Sequence, residues 1–84
     1  MLNQVKLEGI VTCVAELENG DHQISLVCKN ETIGDITFVV RVEKGTVKSV
    51  LFDHLDGMLV FVYGHLEYIV NGELVIIADK LIVE

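Results

Sequence analysis

The chain has 84 residues, of which 13 are acidic and 6 are basic, so its formal net charge is −7. Residues 1–84 are long enough for one domain and too short for a second core. No apolar run approaches the roughly 18 to 20 residues that span a bilayer, so no association with a membrane is predicted. The acidic balance disfavours a protein that binds polyanions over its whole surface.

The apolar content is high for one small domain, at 51% of residues with a mean hydropathy of +0.52. Such a chain often gains stability by pairing with a copy of itself, so we expect part of the apolar surface to face a partner. The first four residues contain neither a basic segment nor an apolar signal core, which predicts a cytoplasmic protein.

Nothing in the sequence predicts a metal site, a cofactor or catalysis. No histidines or cysteines have the spacing of metal ligands, and no phosphate loop or nucleophile motif is present. Cys13 and Cys28 lack the C-x-x-C spacing of a redox motif, and we predict that both are unpaired and buried. Asp53 and Asp56 lie on either side of His54, a pattern that we interpret as polar surface at the end of a helix.

Alternation of apolar and polar residues predicts five strands, at residues 4–15, 22–29, 35–43, 58–68 and 74–83. The dipeptides Asn19-Gly20 and Asn71-Gly72 favour tight turns with positive φ. Gly9 inside the first strand predicts a bend or a bulge, and Gly64 breaks the fourth.

The segment 45–56 has a different period, which predicts a short helix between the third and fourth strands. Its apolar residues are spaced three and four apart: Val47, Val50, Leu51 and Leu55. Thr46 is the expected N-cap and Gly57 the expected stop. This order of elements predicts an all-β, five-stranded OB-fold barrel, in which closure removes most strand edges. An open antiparallel sheet covered by one helix is the alternative.

Residues 1–9 contain the pattern Asn-x-Val-x-Leu-x-Gly, residues 38–40 are Phe-Val-Val in the third predicted strand, and residues 58–66 end in Gly-x-Leu after the helix. These three segments resemble the corresponding parts of bacterial single-stranded DNA-binding proteins. The resemblance covers roughly residues 3 to 83 and implies an OB fold that binds single-stranded DNA on aromatic rings and basic side chains. It also implies a homodimer or homotetramer, associated through the first strand, that acts with other replication proteins.

The sequence departs from that family in three respects. The chain stops at Glu84 without the tail that recruits replication proteins, as in the tail-less primosomal PriB proteins, which it resembles in length. It has no tryptophan, and Ile36 and Val42 occupy positions where the family usually has rings. Glu67 and Ile69 follow Gly64, where the family commonly carries arginines.

Eight residues are candidates for contact with nucleic acid. Three are aromatic and five are basic: Phe38, Tyr63, Tyr68, Lys6, Lys29, Arg41, Lys44 and Lys48. Phe38 belongs to the core if its strand face is the barrel interior, and to the ligand face in the other register. Phe61 is predicted to be a core residue, and Phe52 to pack in the core or at the end of the helix. A solvated surface is the alternative for the five basic side chains.

Two hypotheses of function follow. In the first, the chain is a non-enzymatic, self-associating protein that binds single-stranded DNA during replication, repair or recombination. In the second, it is a protein-interaction module that keeps the barrel and has lost nucleic-acid binding. The net charge, the missing tryptophan and the high apolar content favour the second, whereas the resemblance favours the first.

Overall fold

A computed structural model describes residues 3–68 and 72–84, which form a closed barrel. Its elements are β1 (Val5–Glu16), β2 (His22–Cys28), β3 (Ile36–Val42), a 3₁₀ helix (Ser49–His54), β4 (Leu59–Tyr68) and β5 (Leu74–Val83). All five predicted strands are confirmed to within one residue at each end. The strands pair in the order β1-β2-β3-β5-β4, with β3 and β5 parallel and all other neighbours antiparallel. The predicted five-stranded barrel is therefore confirmed, and the open sheet is wrong.

The long strand β1 closes the barrel because it pairs with two neighbours. Its first half pairs with β4 and its second half with β2, with a bulge between Val11 and Cys13. A bulge bends its strand and increases the local twist, as a small barrel needs. The predicted bend at Gly9 is therefore misplaced by a few residues. Gly9 is required for another reason, because a Cβ there would lie 2.7 Å from the carbonyl oxygen of Val27.

The barrel interior is filled by alternate residues of all five strands. Its fully buried strand residues are Val11, Ile24, Leu26, Val40, Val42, Val60 and Val62, and β5 contributes the buried Ala78 and Leu81. The sequence left open which face of β3 lines the interior; it is the face of Phe38, which lies half-buried opposite Leu26. The prediction for Phe61 is wrong: it is half-buried on the outer side of β4, where it pairs with Ile82.

The predicted helix at 45–56 is shorter than expected, and its N-terminal flanking residue is Lys48 rather than Thr46, without a capping side chain. A 3₁₀ helix has three residues per turn, so residues three apart share its inner face. Phe52 and Leu55 are accordingly buried in the core, whereas Val50 is exposed. The Phe52 ring also stacks on His22 at 3.7 Å. Gly57, at φ 83°, follows the helix as predicted.

Two sequence predictions concern the cysteines and the turns. Both cysteines are unpaired, but Cys13 is exposed because the bulge in β1 turns it outward, so its predicted burial is wrong. Cys28 is half-buried. Gly20 and Gly72 have the positive φ expected of their turns, and Asn71 lies outside the described residues. Within the described part of the chain, no helix is long and apolar enough to cross a membrane.

Candidate nucleic-acid interface

The outer side of β3, β5, β4 and β1 carries a band of side chains that the strand register brings together. We define this outer band as Arg41, His65, Tyr63, Lys80 and Lys6. Arg41 on β3 and His65 on β4 both pair with Ile77, which lies between them on β5. Since neighbouring strands are about 4.8 Å apart, the backbones of Arg41 and His65 are separated by about 10 Å.

Ile77 shows how closely this part of the surface is covered. It is only 4% exposed, yet it does not belong to the cluster of buried core residues. Its register with Arg41 places it on the outer side of the sheet. Long polar side chains often cover apolar surface with their stems. The two residues that flank Ile77 in the register are Arg41 and His65.

Another part of the band places an aromatic ring between two lysines. Tyr63 on β4 pairs with Lys6 on β1 and with Lys80 on β5, and it is 38% exposed. Side chains directly opposite each other on neighbouring strands have Cβ atoms about 4.5–5.5 Å apart. An exposed ring between two ammonium groups suits a base that stacks while its neighbouring phosphates are neutralised.

Lys80 is not among the eight candidates predicted from the sequence. Counted back from the Tyr68–Leu74 pair, a regular hairpin would place Asp79 opposite Tyr63. The irregularity in β4–β5 pairing at Tyr63 and Gly64 inserts one residue and places Lys80 there instead. The available signal was that Lys80 is the only basic residue between 53 and 84.

Arg41 borders a groove next to the β4–β5 hairpin. This groove has a volume of about 260 Å³ and is lined by Gln23, Val39, Arg41, Glu73, Leu74 and Val75. The Nε atom of Arg41 is buried and has no hydrogen-bond partner among the described residues. A buried donor without an acceptor is costly, and an arginine forms its strongest hydrogen bonds with anionic oxygens.

The lysine and arginine side chains of the described residues form no ion pair with a carboxylate. Among residues 3–68 and 72–84, both ion pairs involve His65, and none involves a lysine or an arginine. Binding of phosphate by Lys6, Arg41 or Lys80 would therefore break no existing ion pair in this part of the chain.

His65 lies in the middle of the band and bridges two carboxylates. Its Nδ1 is 2.9 Å from Asp79 Oδ2, and its Nε2 is 2.5 Å from Glu67 Oε2. Both hydrogen bonds raise the pKa of His65 above its ordinary value of 6.5, and the bond to Asp79 has the larger effect. Only the protonated imidazole can donate from both nitrogens. His65 was given no role from the sequence, because the register that brings Asp79 beside it is not visible there.

The structure brings three of the eight predicted contact residues into the band: Lys6, Arg41 and Tyr63. Tyr68, which pairs with Leu74, is 75% exposed near the tip of the β4–β5 hairpin. Phe38 faces the interior side of the barrel.

The three other basic candidates are scattered. Lys29 borders a cavity of about 560 Å³ on the outer side of β1 and β2. The Lys44 side chain covers Gly20, and its backbone N–H donates to Asp21 Oδ1 at 2.8 Å. Lys48 is exposed before the 3₁₀ helix.

Neither a protein-family model nor a curated protein matches the sequence. Solved structures do match its fold. A mitochondrial single-stranded DNA-binding protein from S. cerevisiae has 14% identity and a TM-score of 0.78, over 99% of this chain and 97% of its own. The barrel is an OB fold.

Two further structures have the same OB barrel. A small single-stranded DNA-binding protein from Mycoplasma pneumoniae has 15% identity and a TM-score of 0.73, over 98% of this chain and 93% of its own. The dimeric N-terminal domain of PriB from Thermoanaerobacter tencongensis has 19% identity and a TM-score of 0.73, over 98% of this chain and 96% of its own. At these identities the likeness concerns the fold alone.

Proposed function

We propose that this chain is a non-enzymatic protein that binds single-stranded DNA along the outer band, in replication, repair or recombination. The observation that carries the proposal is the Arg41 guanidinium, whose buried Nε has no acceptor among the described residues and which lies across β5 from the His65–Tyr63 segment of β4. Two proteins of similar fold are named for binding single-stranded DNA, which supports the same ligand class.

Each part of the band has a role in the proposed binding. A base stacks on Tyr63, an interaction that contributes about 1–3 kcal/mol for an exposed ring. Lys6 and Lys80 neutralise the phosphates on either side of that base, and Arg41 receives a phosphate further along the strand. Each phosphate contact with single-stranded nucleic acid contributes about −0.7 to the slope of log K against log salt, so three contacts give about −2.

The five predicted contacts outside the band are not needed for this binding. Tyr68 is the best placed of them, since it is exposed on the same β4–β5 hairpin and offers a second stacking ring. Lys29 borders the cavity on β1 and β2, Lys44 covers Gly20, Lys48 precedes the 3₁₀ helix, and Phe38 faces the barrel interior.

We also propose that the chain forms a homodimer through an outer apolar patch. The patch crosses β2, β1, β4 and β5 and consists of Val27, Ile10, Leu59, Phe61 and Ile82. Ile10 and Ile82 are 40% and 39% exposed, and the similar PriB domain is dimeric. A symmetric dimer would bury the same patch of both copies.

Light scattering after gel filtration tests the dimer. The wild type should give twice the mass of one chain, and Ile10→Asp should give the mass of a monomer. A monomeric wild type would contradict this part of the proposal.

Binding to DNA is tested by fluorescence anisotropy with labelled oligo-dT at about 20 mM and about 100 mM salt. The wild type should bind at micromolar concentration, and Arg41→Gln and Tyr63→Ala should each weaken binding. Lys48→Gln is the matched control, because it removes a base outside the band and should leave affinity unchanged. Absence of binding at both salt concentrations would exclude the proposal.

The protein-interaction module remains the second candidate, because the net charge is −7 and the apolar patch is exposed. It predicts capture of a defined protein partner that Ile10→Asp abolishes, with no oligonucleotide retained.

A further inference from the structure

We propose that protonation of His65 controls the binding of single-stranded DNA along the outer band. The inference rests on the proposed function and adds a regulatory site to it. His65 is 28% exposed, lies between Arg41 and Tyr63 on the outer surface, and holds a carboxylate on each ring nitrogen. A phosphate chain that passes from Arg41 to Tyr63 must therefore pass His65 and both carboxylates.

The charges of the groups around His65 cancel, so the proton on His65 decides whether the local net charge is zero or positive. The polar groups that face it are Tyr63 and Glu67 on β4, Asp79 and Lys80 on β5, and Gln4 and Lys6 on β1. The two lysines balance the two carboxylates, and Arg41 lies beyond Ile77 on β3. The local sum is zero with a neutral imidazole and +1 with an imidazolium.

Hydrogen-bond chemistry acts in the same direction as charge. An imidazolium donates to Glu67 and Asp79 together and so holds both carboxylates against the ring. A neutral imidazole has one donor, so one carboxylate then faces a nitrogen lone pair. That carboxylate loses its hydrogen bond and is free to turn towards solvent, where it repels phosphate. Because both hydrogen bonds raise the pKa of His65 above 6.5, the change is expected to occur above that pH.

The expected effect is modest and measurable. A unit charge about 10 Å from a phosphate changes affinity about two-fold in water, and about four-fold at half that dielectric constant. We therefore expect the affinity of the wild type for oligo-dT to fall two- to four-fold between about pH 5.5 and about pH 9 at low salt. Because the effect is electrostatic, it should be largely lost at about 0.5 M salt.

Anisotropy titrations across this pH range test the proposal with three variants. His65→Gln should bind with no pH dependence. His54→Gln removes an exposed histidine in the 3₁₀ helix and should keep the wild-type pH response. Glu67→Gln removes one carboxylate and should bind more tightly at high pH, a gain that no unfolded variant would show. An NMR titration of Asp79→Asn should give a lower pKa for His65 than in the wild type.

The outcomes separate this inference from the proposed function. Binding that changes with pH in the same way in His65→Gln and in the wild type would overturn the inference alone. Wild-type binding that does not change with pH, or that strengthens as pH rises, would do the same. Absence of binding at every pH would overturn the proposed function and the inference together.

Discussion

Replacing Gly64 with alanine should destabilise the barrel at the position where the outer band is built. A Cβ on Gly64 would overlap the carbonyl oxygen of Ile77, and it would lie 3.0 Å from the carbonyl carbon of Ile77 and 3.3 Å from the Cα of Ala78. All three atoms belong to the backbone of β5, which is held by strands on both sides. They cannot rotate away as a flexible side chain would.

The size of the effect follows from two opposing contributions. Overpacking of a rigid site costs about 1–3 kcal/mol, whereas the loss of glycine flexibility in the unfolded chain offsets about 0.4–1 kcal/mol. We expect a net loss of about 1–2 kcal/mol, which lowers the Tm of a domain of this size by roughly 4–8 °C per kcal/mol. Equilibrium unfolding in urea, followed by circular dichroism, measures it.

Gly34→Ala is the control, because nothing lies within 4 Å of its Cβ position. Gly34 has φ 87°, so this variant pays only the left-handed backbone cost of about 1–2 kcal/mol, partly offset in the unfolded chain. Gly64→Ala should also shift the NMR signals of Tyr63 and His65, whereas Gly34→Ala should leave them in place. A Gly64→Ala protein with wild-type stability and unshifted signals would refute the packing argument.

Three further predictions concern titration, reactivity and salt. The folded pKa of His65 is raised, so its contribution to stability is complete below pH 6.5 and is lost as pH rises through the folded pKa. Urea unfolding should accordingly show a larger stability gap between the wild type and His65→Gln at acid pH than at alkaline pH; an equal gap would contradict the raised pKa. Exposed Cys13 should react with a thiol reagent before Cys28, because burial and, to a smaller extent, the charge of Glu8 raise the pKa of Cys28. Equal modification rates of the two cysteines in peptide mass spectrometry would contradict this prediction. Lys80→Gln should reduce the magnitude of the salt slope of oligo-dT binding by about 0.7, and an unchanged slope would exclude Lys80 from phosphate contact.

The strands could be predicted from sequence because their signals are local. In β3, Ile36, Phe38, Val40 and Val42 share one side, as the alternation predicts, and the pairing of Phe38 with Leu26 shows that this side is the interior one. β4 was harder, because its continuous apolar run does not show which side faces inward. Phe61 was therefore assigned to the core, although the register pairs it with Glu8 and Ile82 on the outer surface.

The candidate interface could be predicted only in part, because it depends on pairing between distant residues. Lys6 and Tyr63 were both candidates, but nothing local shows that they pair across β1 and β4. The irregularity in β4–β5 pairing then changes the partner of Tyr63 by one residue, from Asp79 to Lys80. A one-residue shift of register exchanges a repulsive neighbour of phosphate for an attractive one, and alternation alone cannot show such a shift.

The net charge of −7 and the proposed binding of a polyanion are compatible because they act over different distances. The described residues extend 37 × 32 × 21 Å. At about 0.1 M salt the Debye length is about 10 Å, so a bound strand interacts mainly with the band and the two carboxylates held by His65. At about 0.01 M it is about 30 Å, and the strand is then repelled by acidic groups over the whole surface. Lowering the salt therefore strengthens each phosphate contact and the long-range repulsion together. The affinity of this chain should level off at low salt, where that of a protein with a uniformly basic groove would continue to rise.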